Sequence, residues 1–335
     1  MKFRVFLIFL VVFFLTSTAF GKTPSGTVTF NIRPNVLEKS KNARLWVPYP
    51  LSDEFQTVSD VKISGNYDES GIYNDPETGA VFYFAGWKSL KEKPFLAMSF
   101  HVDQKSRKSG KIKDSGGPVP VIVKKYLAST EWVPSEDFKK LARDITKGKK
   151  GILEKARAVY DWTVENTYRD PDVKGCGLAI PGRTLTESKG GGKCADISAV
   201  YVSIARAAGI PARDVYGMRL SDPKTGDITS GFHCWAEFYL PGTGWVMVDP
   251  ADVRKMMLVH NLELKDASDW REFFWGGDDL FRVVLEKDAR GVKFQPAQDG
   301  KPLNYFMYPF AQVDAETLNY FDPKNFSYSV TFKKD

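Results

Sequence analysis

Three cysteines and three histidines are all that 335 residues provide for sulfur and imidazole chemistry. Cys194 follows Gly190-Gly191-Gly192-Lys193, and beyond it Ile197, Val200, Tyr201, Ile204 and Ala208 recur at helical spacing until Gly209-Ile210-Pro211. The glycine-rich turn allows close backbone approach, and a helix N-terminus favours a thiolate over a thiol. Those are the needs of a sulfur nucleophile, although a lone cysteine at a helix start also reads as a small buried hydrophobe. His233 lies in the strand-like run Gly231-Phe232-His233-Cys234-Trp235-Ala236-Glu237-Phe238, and Asp249 ends the next, Trp245-Val246-Met247-Val248-Asp249. Nucleophile, general base and orienting carboxylate thus occur in that chain order.

Whether the carboxylate can reach the imidazole is a question of hairpin register. Leu240-Pro241-Gly242-Thr243-Gly244 supplies the turn, and residues opposed across an antiparallel pair share a face. Pairing Leu240 with Trp245 sends His233 and Asp249 to opposite faces. A three-residue loop, Leu240-Pro241-Gly242, joining Tyr239 to Thr243 sets them directly opposite each other with Gly242 at the left-handed position, and this is the expected register.

The remaining candidates are weaker. Trp235 shares the face of His233 and reads as a substrate-groove wall or as core. Strand alternation turns Cys234 to the other face as a small hydrophobe. Cys176, in the loop of residues 169–184, reads either as a free loop thiol or as the partner of Cys194 in a reversible inhibitory disulfide. His101 and His260 have no motif around them. No Cys-x-x-Cys or His-x-x-x-His occurs, and Cys194, His233 and Cys234 lack a fourth ligand, so neither metal nor cofactor is expected.

The elements that must position these groups follow from periodicity. Residues 27–32, 43–47, 58–63, 80–84 and 95–102 are short β-branched and aromatic runs separated by turn signals, which predicts an all-β, sandwich-like domain over 22–125. A Lys-, Ser-, Gly- and Pro-rich stretch, 105–120, reads as a linker or long hairpin loop. Helical spacing then begins with Ser135 as cap, and a second helix is expected over 152–166, the third starting at Cys194. The catalytic core is assigned to 130–252. Residues 253–335 mix turns, the aromatic run Trp270, Phe273, Phe274 and Trp275, and short strands, and read as a β-rich extension packed on that core.

Composition narrows the setting. With 43% hydrophobic and 26% charged residues the chain is neither disordered nor fibrous, and three cysteines are no disulfide scaffold. Forty-seven basic against 41 acidic residues leave no field suited to nucleic acid. Lys2 and Arg4 precede an apolar stretch, 5–15, and Ala19-Phe20-Gly21 places small residues where a signal peptidase reads. A leader over 1–21 is expected, cut after Gly21. The stretch falls well short of the ~20 residues of a membrane span, so no transmembrane anchor is expected after cleavage, and the protein is expected to be periplasmic or extracellular.

Four blocks together carry a family resemblance: Gly190-Gly191-Gly192-Lys193-Cys194-Ala195-Asp196-Ile197-Ser198, then Ala205-Arg206-Ala207-Ala208-Gly209-Ile210-Pro211-Ala212-Arg213, then Gly231-Phe232-His233-Cys234-Trp235, then Trp245-Val246-Met247-Val248-Asp249-Pro250. In this order they resemble the core of the bacterial transglutaminase-like superfamily, as does the upstream Trp162-Thr163-Val164-Glu165-Asn166-Thr167-Tyr168. The resemblance implies an α+β, papain-like fold with an antiparallel sheet, and carries the family's nucleophile, base and acid onto Cys194, His233 and Asp249. It implies acyl transfer through a thioester on a peptide or protein substrate, with the cell envelope as one source of such substrates. Resolution by water gives an amide hydrolase or peptidase, and resolution by an amine gives a cross-linking acyltransferase; a non-catalytic envelope binding module is the third reading. The backbone N–H of Cys194 is half of an oxyanion hole, and no residue near it supplies the other half.

Overall fold

The structure, a computed structural model, describes residues 25–107, 112–220, 226–277 and 281–335. The expected leader and residues 108–111 of the expected linker lie outside the described residues. Six strands come first: β1 (Ser25–Ile32), β2 (Ala43–Pro48), β3 (Gln56–Gly65), β4 (Glu69–Asn74), β5 (Val81–Trp87) and β6 (Leu96–Gln104). The middle of the chain holds α1 (Lys139–Ile145), α2 (Gly151–Asn166), β7 (Tyr168–Arg169), α3 (Pro181–Thr186), β8 (Gly191–Gly192), α4 (Cys194–Ala207), β9 (Ala212–Arg219), β10 (Gly226–Asp227), β11 (Phe232–Leu240) and β12 (Gly244–Val248). After α5 (Pro250–His260) and α6 (Ser268–Phe273) come β13 (Arg282–Lys287), β14 (Arg290–Val292), β15 (Leu303–Tyr305), β16 (Phe310–Val313), β17 (Glu316–Thr317), α7 (Pro323–Phe326) and β18 (Tyr328–Lys334). No helix among the described residues is long and apolar enough to cross a membrane.

Two five-stranded sheets, ordered β10-β18-β1-β6-β3 and β17-β16-β2-β5-β4, form the sandwich, and a four-stranded antiparallel sheet, β12-β11-β9-β13, forms the other half. The period-two pattern of β1 buries Val28, Phe30 and Ile32, while β6 buries Leu96, Met98, Phe100 and Val102 against them. The end of the chain departs from expectation. Rather than lying as an extension on the core, it is divided: β13 pairs with β9 in the four-stranded sheet, β16 pairs with β2, and β18 pairs with β1. The region 130–252 therefore sits between two parts of one sandwich. Core packing ties the halves together, since Cys194, Ile197, Met218 and Cys234 belong to the same apolar cluster as Phe30, Trp46 and Phe100.

A second cluster packs the other face of α4 against the rest of the sheet and the helices, through Val159, Tyr160, Val200, Ile204, Phe238 and Val246. Every residue of α4 from Cys194 to Arg206 is buried, as a helix flanked on several sides must be. Two elements differ from the sequence reading. Strand β4 shows no alternation of apolar residues and edges its sheet, and α5 lies where turns were expected. Ser135 falls within a short 3-10 turn before α1 rather than capping a helix, and no side-chain cap bond forms there.

Candidate active site

Cys194 is the first residue of α4, where backbone N–H groups have no intrahelical acceptor. The glycines before it are required by space. A Cβ on Gly190, whose φ is +90°, would lie 2.4 Å from the Asn166 carbonyl oxygen, and one on Gly192 would strike the Asp196 side chain. This closeness lets β8 pair in parallel with β7, setting Arg169 beside Gly192. Asp196, the third helical residue, then fixes the start. Its Oδ2 accepts from the Lys193 N–H (3.0 Å), and its Oδ1 accepts from the N–H groups of Leu178 (2.8 Å) and Ala179 (2.9 Å), tying the upstream loop to the helix.

His233 stands near the start of β11, whose Leu240 pairs with Gly244 and Tyr239 with Trp245. The loop is Pro241-Gly242-Thr243, one position later than expected. Pro241 and Gly242, with φ +91° at Gly242, occupy the centre of a turn closed by the Thr243 N–H on the Leu240 carbonyl (3.0 Å), the residue choice of a type II turn. This register keeps His233 and Asp249 on one face but staggers them by two positions. The chain closes the gap by leaving the strand: Asp249 caps α5, with Oδ1 accepting from the Asp252 N–H (2.9 Å) and Pro250 at the first helical position. Oδ2 is thereby presented to His233 Nε2 at 2.7 Å.

Two further groups surround that bond. Asp252 Oδ2 lies 3.5 Å from the same Nε2, and Arg282, from β13, donates to Asp249 Oδ2 (2.6 Å) and to Asp252 Oδ2 (2.9 Å). Arg219 also pairs with Asp252. Burial would raise the Asp252 carboxyl, but His233, Arg219 and Arg282 hold it well below the ordinary carboxylate range. With Nε2 engaged by carboxylates, Nδ1 is the ring nitrogen left for the sulfur. Trp235 is completely buried, packed with Val215, Met247 and Val284, and its ring lies 5.8 Å from that of His233. It therefore supports the imidazole from behind and is not a groove wall, which corrects its reading as a substrate-binding residue.

The sulfur side differs from expectation as well. Cys234 does point away from the face of His233, but that other face is the one on which α4 packs. The Sγ atoms of Cys176, Cys194 and Cys234 consequently lie within 4.8 Å of one another, all buried and all free thiols. Burial alone would raise the Cys194 thiol; hydrogen bonds with Cys176, Cys234 and His233, together with the His233 charge, hold it well below the ordinary thiol range. The hydrogen bond with Cys194 pushes Cys176 up, and burial pushes Cys234 up. Of the three neighbouring sulfurs, Cys194 is the one whose surroundings favour the thiolate. Arg169 touches it: burial works against the guanidinium charge, while the charge and hydrogen bond of Cys194 maintain it. Arg169 Nη1 is buried without a protein acceptor among the described residues.

Lys193, Phe232, Cys176, Arg169, Tyr308 and Phe321 are among the residues that line a cleft of about 330 Å³. Neither this cleft nor a larger cavity of about 490 Å³ beside Trp132, Asp288 and Arg290 has Cys194, His233 or Asp249 in its lining. The smaller one is distinguished by Arg169, Cys176 and Lys193, which adjoin Cys194 in space or in sequence. As for metals, three thiols could hold a thiophilic ion, whereas Asp249 and Asp252 are already neutralised by guanidinium groups that a cation would have to displace. Neither Arg169, Asp252 nor Arg282 was indicated by the sequence reading. The Asp249-Pro250-Ala251-Asp252 quartet, a capping residue followed by proline and an acid in the first turn, was the available signal for α5.

A helix that carries a cysteine at its N-terminus and packs on an antiparallel sheet bearing histidine defines a papain-like, transglutaminase-type enzyme fold. Residues 139–250 match the transglutaminase-like superfamily, and the chain belongs to that superfamily. It is 34% identical over 317 residues to an uncharacterized protein of Haemophilus influenzae, spanning 87% of this chain and 86% of that relative. The uncharacterized protein YebA of Bacillus subtilis is 26% identical over 261 residues, which are 64% of this chain and 33% of YebA. Among solved structures, a crystal structure from Cytophaga hutchinsonii described as a candidate cysteine protease aligns over 92% of this chain and 98% of its own, with a TM-score of 0.53 and 17% identity.

Proposed function

We propose that the protein is an exported cysteine-dependent amide hydrolase acting on peptides, with Cys194 as nucleophile, His233 as acid and base, and Asp249 as the carboxylate that orients the imidazole. The observation that carries this reading is the 2.7 Å bond from Asp249 to Nε2 of an imidazole whose Nδ1 is left for a charge-stabilised Cys194. The thiolate attacks the amide carbonyl carbon, and its developing oxyanion meets the Cys194 N–H and the Arg169 guanidinium. His233 gives its proton to the leaving amine as the carbon–nitrogen bond breaks, leaving a thioester. Water, deprotonated by His233, then attacks the thioester and releases the acid and the thiolate.

A screen of cell-envelope peptides tests the chemistry, with amine release and product mass as readouts and Cys194→Ala as control. Wild-type turnover absent from the variant is expected, and equal turnover by both would refute the assigned nucleophile. A glutaminyl peptide supplied with a primary amine separates hydrolysis from transfer: an amine adduct replacing the free acid would make the protein an acyltransferase. Export rests on the residue pattern of 1–21. The protein recovered from a periplasmic fraction or the medium is expected to begin at Lys22.

A further inference from the structure

We propose that Cys176 is a resolving thiol that joins Cys194 in a reversible disulfide. The pairing of the two sulfurs stands on geometry alone, while its inhibitory consequence rests on the reading of Cys194 as nucleophile. Besides the sulfur separation of at most 4.8 Å, the backbones are pinned together, because the Ala195 N–H donates to the Cys176 carbonyl at 2.9 Å. Both observations bring the two residues together, which a disulfide requires, since it spans only about 4.4–6.8 Å between Cα atoms. The loop is held in place from both sides. Asp196 takes the Leu178 and Ala179 N–H groups, and Tyr305 Oη donates to the Gly177 carbonyl (2.7 Å).

Cys234 is the poorer partner. It sits inside a strand paired on the β9 side, with its sulfur 3.7 Å from Met307 Sδ. Cys176 instead lies between Gly175 and Gly177, both at positive φ, and lines the cleft that Lys193 and Arg169, the neighbours of Cys194, also line. Its own thiol donates to the Phe232 carbonyl (3.3 Å) and stays protonated, so Cys194 reacts first. With a peroxide as oxidant, the Cys194 thiolate attacks one peroxide oxygen and the O–O bond breaks. Sulfur is oxidised to the sulfenic acid and the peroxide is reduced to hydroxide. Cys176 sulfur then displaces the sulfenic hydroxyl, which leaves as water with the Cys176 proton as the S–S bond forms. A dithiol reverses the step by thiol–disulfide exchange.

The full-length protein, reduced, desalted and treated with a small excess of hydrogen peroxide, tests this. The intact mass is expected to fall by about 2 Da, the loss of two hydrogens, with a proteolytic map joining the Cys176 and Cys194 peptides and dithiothreitol reversing both. Iodoacetamide labelling of Cys194 and peptide turnover should disappear and return together. Cys176→Ser should accumulate irreversible sulfinic acid at Cys194, and Cys234→Ser should still form the link. A map joining Cys234 to either partner, an unchanged mass, or tight binding of one zinc ion without any disulfide would each overturn the proposal. The wild-type map decides even if the variants fail to fold. A link that forms in a protein with no amidase activity would refute the hydrolase and leave the disulfide standing.

Discussion

Two buried clusters in this protein have the same charge inventory, two arginines and two aspartates, and opposite uses. In one, Arg206 pairs with Asp288 (2.5 Å) and Arg290 with Asp214 (3.0 Å), and the arginines spend further donors on the carbonyls of Ala212, Ala128 and Ala179. That cluster staples the end of α4, the start of β9 and the strand β14 to the upstream loop. In the other, Arg282 spreads two nitrogens over Asp249 and Asp252, and the carboxylates in turn hold an imidazole. Burial pushes Asp214 and Asp288 up despite their arginines, whereas His233 and two arginines hold Asp252 down. A buried ion pair closed by backbone carbonyls is a fastening. The same pair becomes a working device when a titratable ring is added.

An isosteric neutralisation in each cluster should separate the two uses most strongly. Asp249→Asn keeps side-chain volume and removes the charge that fixes the imidazole, so kcat on a peptide substrate should fall about 10³- to 10⁴-fold with the fold retained by circular dichroism. Asp214→Asn should leave kcat within about threefold while lowering the melting temperature. Equal kinetic losses in the two variants would erase the distinction.

The arginines give the next largest effect and test what the clusters share. Arg282→Met and Arg290→Met each strand buried aspartates, at a cost of about 3–5 kcal/mol read as a lowered urea midpoint at unchanged slope. Only Arg282→Met should also move the pH profile of Cys194 alkylation, because only that cluster touches His233. A shifted profile in Arg290→Met would show that the two are coupled.

How much of this could be read from the residues follows the same division. Cys194, His233 and Asp249 stood out because their residue types are scarce and their elements are local: a glycine turn before a helical stripe, and two strands around a proline-glycine turn. Arg282 and Arg169 are two among many basic residues, and they reach the site through sheet pairing, β13 beside β9 and β7 beside β8, which no local pattern announces. The pairing of β18 with β1 joins Lys334 to Gly26, across nearly the whole chain, so an extension was the natural reading of the C-terminal residues. The hairpin shows the limit most sharply. Alternation gave the correct shared face for His233 and Asp249, but the two-position stagger, and the helix cap that closes it, depend on where the turn places Pro241.

Arg169 joins the second cluster at its sulfur end, as a cation beside Cys194 in addition to His233. Arg169→Gln removes a charge-assisted hydrogen bond to a thiolate, and Cys194 alkylation at mildly acidic pH should slow by roughly tenfold, with the profile moved to higher pH and recovered in part by Arg169→Lys. A uniform loss of rate at every pH would reduce Arg169 to packing.

The smallest effect comes from a buried carboxyl group on the same strand as Arg282 but with no cation paired to it among the described residues. Glu286 is 7% exposed, and its Oε1 accepts from the Val81 N–H (3.1 Å); no cation pairs with it among the described residues. Burial pushes its carboxyl well above the ordinary range. The folded protein therefore holds that proton more tightly than the unfolded chain does. Its contribution to stability is complete below the unfolded carboxyl value and declines as pH rises toward the folded one. Glu286→Gln retains the acceptor for Val81 and removes the titration, so the variant should match wild type near pH 4 and be the more stable of the two near pH 8. Urea midpoints at the two pH values measure it. Equal destabilisation at both would mean that Glu286 is already ionised in the folded protein, against the direction that its burial sets.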